Sequence, residues 1–146
     1  MTPRALDREV VQARVRLIQD LLDESSAGEI TVERLKRDRM LRHAVERILS
    51  QIVDLAVSVN SHVAATLLGE SPKDYRSSFT LAEAAGLLEH DLGERLRRSV
   101  GLRNVLTHEY VDVDLGIVAD AVRSAISDYA AYVNGVADWL RELPSS

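Results

Sequence analysis

Leu41-Arg42-His43-Ala44-Val45-Glu46-Arg47-Ile48-Leu49-Ser50-Gln51-Ile52-Val53-Asp54-Leu55-Ala56-Val57-Ser58-Val59 carries an apolar stripe at Leu41, Val45, Ile48, Ile52, Leu55 and Val59. Steps of four and three residues draw one line along a helix, whereas a half-buried strand would need strict alternation. Thr31, flanked by Glu29 and Glu33, supplies a cap-like start, and Gly69 follows Leu68, so a single helix is expected over residues 31–68. At 1.5 Å per residue it would be about 55 Å long, more than a compact domain of this size requires. Long heptad-spaced stripes often pair with a second subunit.

The same periodicity extends outward in both directions. A first helix is expected over about residues 6–22, with Leu6, Val10, Ala13, Leu17 and Leu21 on one face and Glu24-Ser25-Ser26-Ala27-Gly28 ending it. Residues 69–79 read as a loop by composition. Thr80 with Glu83 forms a capping-box pattern that would open a short third helix, and Asp91 with Glu94 one that would open a fourth. A fifth, over about residues 115–140, turns Val118, Val122, Ala125, Tyr129, Val133, Val136 and Leu140 inward. Tyr129, Tyr132 and Trp139 follow helical spacing and read as core or interface aromatics rather than a base-stacking platform. The fold class expected is all-α, an antiparallel bundle of about five helices forming one domain over residues 1–146.

Composition narrows the chemistry. The 146 residues contain no cysteine, which removes disulfides, thiol nucleophiles and cysteine zinc sites. The first residues become charged at once and hold no signal-peptide core. The most apolar stretch, residues 55–68, is too short to span a bilayer and carries Asn60 and His62. A cytoplasmic protein with no membrane span is therefore expected. A net charge of −5 argues against coating nucleic acid through overall basicity, since such binding draws on many phosphate neutralisations. Local basic runs remain: Arg95, Arg97, Arg98 and Arg103 in one place, Arg34, Lys36, Arg37, Arg39 and Arg42 in another. Each run reads equally as a solvated helix face. Asp112, Asp114 and Asp120 make no recognisable cation loop, and there is no phosphate-binding glycine loop, so no metal and no cofactor is expected.

The chemistry-bearing segment is Gly101-Leu102-Arg103-Asn104-Val105-Leu106-Thr107-His108-Glu109-Tyr110. Arginine offers a planar fork of donors to a phosphate, and histidine moves protons near neutral pH. Asn104 and His108 are one turn apart on a helix, but Arg103 and His108 lie about 140° apart around it and do not converge by spacing alone. Either the helix ends near His108 or a second subunit completes the site. With sixteen arginines in the chain, an arginine followed by a histidine is a weak signal by itself; Arg37 and His43 make a similar pair, without the following amide. A structural role, such as capping carbonyls at a helix end, competes with catalysis for Arg103 and His108. Asp54, inside the long helix, either orients a motif arginine or faces solvent. For His62 a satisfied core position is the simpler reading, and His43 and His90 read as surface residues.

Arg103-Asn104, His108 and Tyr110, late in a helical chain of this length, resemble the HEPN superfamily, specifically the HepT toxins of HepT/MntA toxin–antitoxin systems. His62, Pro72, Tyr75, Phe79, Leu81-Ala82, Gly86-Leu87-Leu88 and Val100-Gly101-Leu102 follow that family's order over about residues 38–140. The resemblance implies a metal-independent endoribonuclease, a type VII toxin acting on tRNA or mRNA as a homodimer whose two motifs face one cleft. It implies Arg103 and His108 as the catalytic pair, with Asn104 orienting His108 or the phosphate; the local basic run, apart from the resemblance, supplies Arg95, Arg97 and Arg98 as candidate RNA contacts. It also implies a MntA-like nucleotidyltransferase antitoxin that transfers AMP to Tyr110, a residue that could otherwise simply pack at the helix end. Two other readings stay open: a non-catalytic nucleotide- or phosphate-binding subunit assisting such a nucleotidyltransferase, and a structural helical adaptor.

Overall fold

The computed structural model describes residues 5–26, 30–108 and 114–144, and among them forms six α-helices and no strand. They are α1 (Arg8–Ser26), α2 (Val32–Arg37), α3 (Arg39–Leu67), α4 (Tyr75–Ala84), α5 (His90–His108) and α6 (Leu115–Glu142). Side-chain contacts fix their directions. Arg8, at the start of α1, donates to the carbonyls of Leu140, Leu143 and Pro144 at 2.6, 3.1 and 3.0 Å, capping the end of α6. The Asp7 amide donates to His62 Nε2 at 3.0 Å near the end of α3. Thus α1 runs antiparallel to both long helices, and His62 is satisfied structurally. Arg95 meets Asp128 at 2.9 Å and Ser99 meets Tyr129 at 2.7 Å, which ties the first half of α5 to the middle of α6.

The core is enclosed by α1, α3, α4, α5 and α6, with the two long helices α3 and α6 facing each other across it. Val45, Leu49, Ile52, Val53, Ala56, Val59 and Val63 from α3 meet Val118, Val122, Ala125, Tyr129, Tyr132, Val133, Val136 and Leu140 from α6. Every inward residue expected on the last helix is buried, and Asp114 caps that helix through bonds from the Gly116 and Ile117 amides. Tyr132 packs edge to face on Phe79 and Tyr129, at centroid distances of 6.5 and 6.0 Å. A fully buried polar chain crosses this core: the Tyr132 hydroxyl donates to Asn60 Oδ1 at 2.7 Å, and Asn60 Nδ2 donates to Ser78 Oγ at 3.3 Å. The Ser78 hydroxyl in turn donates to the Tyr75 carbonyl at 2.7 Å.

Several expectations are corrected. The long helix is broken at Asp38, whose backbone is extended (φ −117°, ψ 97°); it ends α2, and its side chain caps α3 by accepting from the Leu41 amide at 3.0 Å. A short polar side chain that bonds the following backbone offers an alternative to helix continuation, and an apolar stripe does not register the break. Arg42 braces the joint by donating to the Leu35 carbonyl at 2.7 Å. The break also separates Arg37 from His43, so that pair shares no helix. The third helix starts five residues before Thr80, because Asp74 and Ser77 form the capping box in use. Asp91 lies already in the first turn of α5 rather than before it. On α1 the buried face is Val11, Ile18 and Leu22, one residue round from the expected stripe, and Leu17 is 52% exposed. Finally, residues 39–68 are long and apolar enough by length and composition to cross a membrane, so the shorter window understated this helix; here its apolar face is the centre of the bundle.

Candidate active site

The motif occupies the last turns of α5, which runs unbroken to His108. Leu96, Val100 and Leu106 anchor the helix in the core, so Arg103 is set by the same register that buries them. Its side chain is 25% exposed and is directed toward α3 and α4. Nη2 lies 3.5 Å from Asp54 Oδ1, and the guanidinium carbon stands 5.1 Å from the centroid of the Tyr75 ring. The Tyr75 hydroxyl donates to that same Asp54 oxygen at 2.7 Å. This bond pushes the Tyr75 phenol above its usual range, with partial burial and the Asp54 charge adding to the rise while the Arg103 charge opposes it. Asp54 therefore meets a motif arginine, as one of its two readings anticipated.

Asn104 is exposed on the next face of the helix. Because the helix continues, Arg103 and the backbone position of His108 remain about 140° apart around its axis. Glu109 and Tyr110 lie outside the described residues, so the expectation for Tyr110 stands on sequence alone. Gly101 opens a notch on the strip that leads to His108, seven residues and nearly two full turns further on. A Cβ there would come within 3.0 Å of Arg76 Nη2, so the glycine admits an exposed guanidinium against the helix.

The neighbouring arginines divide. Arg95 pairs with Asp128 on α6 at 2.9 Å, and Arg97 pairs with Glu83 on α4 at 2.7 Å. Arg98 is exposed and lines a groove of about 270 Å³ between α5 and α6, with Ser124 and Asp128 on the far wall. In the second basic run Lys36, Arg37 and Arg39 are exposed, which fits a solvated face. His43 and His90 are exposed as expected; His90 touches Glu83 at 3.3 Å and Glu94 at 3.1 Å, and the Glu83 hydrogen bond, then the two carboxylate charges, raise its pKa.

Two residues beside the motif were given no part in the site by the sequence reading: Arg76, and Tyr75, which counted only among the positions of the resemblance. Their link to α5 spans some two dozen positions and depends on how α4 crosses it, so no local spacing announces it. The available signal was the Asp74/Ser77 capping box, which places both at the first turn of a helix rather than in a loop.

A family model described as Ribonuclease HepT-like matches residues 11–136. A tRNA nuclease HepT of Aphanizomenon flos-aquae is 29% identical over 133 residues, 90% of each chain. An mRNA nuclease HepT of Shewanella oneidensis is 27% identical over 99 residues, 68% of this chain and 74% of that protein. Among solved structures, a tri-AMPylated Shewanella oneidensis HEPN toxin in complex with MNT antitoxin superposes with a TM-score of 0.80 at 21% identity, covering 90% of this chain and 99% of the other. The family match spans the buried faces of α1, α3, α5 and α6 together with Arg103 and His108. The chain belongs to the HepT-like ribonuclease family.

Proposed function

We propose that this protein is the toxin of a HepT/MntA-type pair, a metal-independent endoribonuclease that acts in the cytoplasm as a homodimer on tRNA or mRNA. The observation that carries the reading is the holding of Arg103 by Asp54 and Tyr75 at the end of α5, within the matched family. Arg103 holds the scissile phosphate and offsets the charge that builds on its oxygens. His108 takes the proton of the ribose 2'-hydroxyl as the 2'-oxygen attacks phosphorus, and a protonated histidine returns a proton to the departing 5'-oxygen. The products are a 2',3'-cyclic phosphate and a 5'-hydroxyl end. Loss of one charge-stabilising donor raises such barriers by about 3 kcal/mol. Asn104 orients His108 or the phosphate, and Arg98, together with Arg95 and Arg97 at the cost of loosening their pairs with Asp128 and Glu83, adds weaker RNA contacts.

The wide angle between Arg103 and His108 on one helix supports a cleft shared by two subunits, in which each motif faces the other. Tyr110 is the AMP acceptor for a MntA-like nucleotidyltransferase. A phosphodiester and a base added there place negative charge and bulk beside the phosphate site and exclude RNA.

The test is incubation of the wild-type, Arg103→Ala and His108→Ala proteins with total RNA in chelator. Cyclic-phosphate ends made by the wild type and lost in both variants support the reading; no cleavage of any cellular RNA by the wild type overturns it. Co-expression with a MntA-like nucleotidyltransferase should add AMP mass to the wild type and none to Tyr110→Phe.

A further inference from the structure

Asp54, Tyr75 and Arg103 come from three helices and close a ring of contacts: hydroxyl to carboxylate at 2.7 Å, carboxylate to guanidinium at 3.5 Å, guanidinium over the ring at 5.1 Å. Taken singly, each contributes little. A partly exposed ion pair is worth about 0–1 kcal/mol, and an exposed cation–π contact about 0.5–1 kcal/mol. Their value lies in direction. The Tyr75 face limits the tilt of the guanidinium plane, and the Asp54 oxygen fixes the edge that carries Nη2. A long side chain with many rotamers is thereby held near one of them before a phosphate arrives.

The tyrosine is itself anchored. Tyr75 is the first residue of α4, behind the Asp74/Ser77 capping box, in which Ser77 Oγ also accepts the Lys73 and Asp74 amides at 2.9 and 3.0 Å. Its carbonyl accepts the buried Ser78 hydroxyl, which the Asn60 and Tyr132 chain ties to the core. Asp54 rises from α3 between the core residues Val53 and Ala56. Both supports of the arginine therefore stand on rigid elements rather than on a loop.

We propose that Tyr75 is a positioning residue for the ribonuclease reaction, and that it works with Asp54 to pre-orient the Arg103 guanidinium toward the scissile phosphate. The proposal rests on the reading of Arg103 as the phosphate-holding residue. It assigns Tyr75 no contact with RNA; its hydroxyl serves the carboxylate and its ring serves the arginine.

The test uses the full-length protein and three variants. Tyr75→Phe keeps the ring and removes the bond to Asp54; Asp54→Asn keeps an acceptor and removes the charge; the third carries both changes. Misplacement of a reacting group by about 1 Å costs up to ~100-fold in rate, so each single variant should lose ~10- to ~100-fold in kcat with KM little changed. The double variant should lose no more than the worse single one, because the two residues act on one guanidinium. A fall in KM-dependent steps alone, additive losses, or losses that track a lowered Tm would make the pair structural and overturn the proposal. The second readout is the side-chain Nε–Hε NMR signal of Arg103, assigned by its loss in Arg103→Lys. Tyr75→Ala should shift it by removing the ring, and Asp54→Asn should shift it by releasing one edge; an unmoved signal overturns the proposal. If the wild type cleaves no RNA, the ribonuclease reading fails, and the NMR signal alone decides whether the pair holds the arginine.

Discussion

Tyr132→Phe isolates a single hydroxyl at the centre of the molecule. The ring is fully buried, and phenylalanine preserves its edge-to-face contacts with Phe79 and Tyr129. What disappears is a donor that reaches Asn60 Oδ1 at 2.7 Å and approaches the Ala56 carbonyl at 3.2 Å. Asn60 is also fully buried, so its oxygen loses that partner where water cannot replace it. Leaving a buried polar group unsatisfied costs about 1–3 kcal/mol. For a chain of this size each kcal/mol moves Tm by about 2–4 °C, which gives a fall of roughly 2–12 °C. Urea unfolding followed by circular dichroism at fixed protein concentration measures the change, since subunit association would make the midpoint concentration-dependent. Asn60→Leu combined with Tyr132→Phe removes donor and acceptor together, and should cost less than the sum of the single changes by about 0.5–3 kcal/mol. A single-variant cost below about 0.5 kcal/mol, or strict additivity, would refute the claim that this bond is made and dry.

The His90 cluster sets a pH dependence. Its pKa is raised above 6.5 in the fold, so its contribution is fully present below the unfolded value and is lost as pH rises through the folded one; unfolding midpoints should fall across that window in the wild type and less in His90→Gln. Gly93→Ala puts a Cβ 1.8 Å from Glu83 Oε1, so Glu83 must swing away from both His90 and Arg97, and NMR titration should show the His90 pKa moving back toward 6.5. RNA affinity should depend modestly on salt: with Arg95, Arg97, Arg98 and Arg103 each neutralising one phosphate, a log–log slope of roughly −3 per subunit is expected at ~0.7 per contact on single strands. Filter binding that gives a slope steeper than about −6 per dimer would require the basic run around Arg37 as well.

Burial made the fold legible on α6, while on α1 the same reasoning was one residue out, at Val11, Ile18 and Leu22. On α6, seven inward positions could be named because each one packs on the core and none serves another purpose. Helix junctions were harder. Asp38 interrupts an apolar stripe that continues on both sides of it, so only the competition of its carboxylate for the Leu41 amide marks the break. At α4 two capping boxes were available, and tertiary contacts selected Asp74/Ser77 over Thr80/Glu83; Phe79 is fully buried, as it could not be in an open loop. For the site, Arg103 and the possible service of Asp54 were readable, but the third member, Tyr75, was not. Its contact depends on the crossing of α4 and α5, which no single helix encodes.

The hardest helix to read is the one that carries the motif, and the reason is physical. A helix selected only for burial separates apolar from polar faces, but α5 turns charge toward its neighbours on several sides: Arg95 to Asp128, Arg97 to Glu83, Arg103 to Asp54. Arg97 and Arg103, 20% and 25% exposed, would be costly to leave without a carboxylate, whereas Arg95 is 47% exposed; each of the three has one supplied by a different helix. The pairs with α6 and α4 brace the first half of α5. In the second half the carboxylate is shared with a tyrosine and the guanidinium is still 25% exposed, enough for a phosphate to reach it. Arginine thus ties α5 to its neighbours at one end of the helix and is held between a carboxylate and a tyrosine ring at the other. The difference between the two ends is what the carboxylate does besides: Asp128 and Glu83 bind their arginines at 2.9 and 2.7 Å, whereas Asp54 stands 3.5 Å from Arg103 and already accepts the Tyr75 hydroxyl.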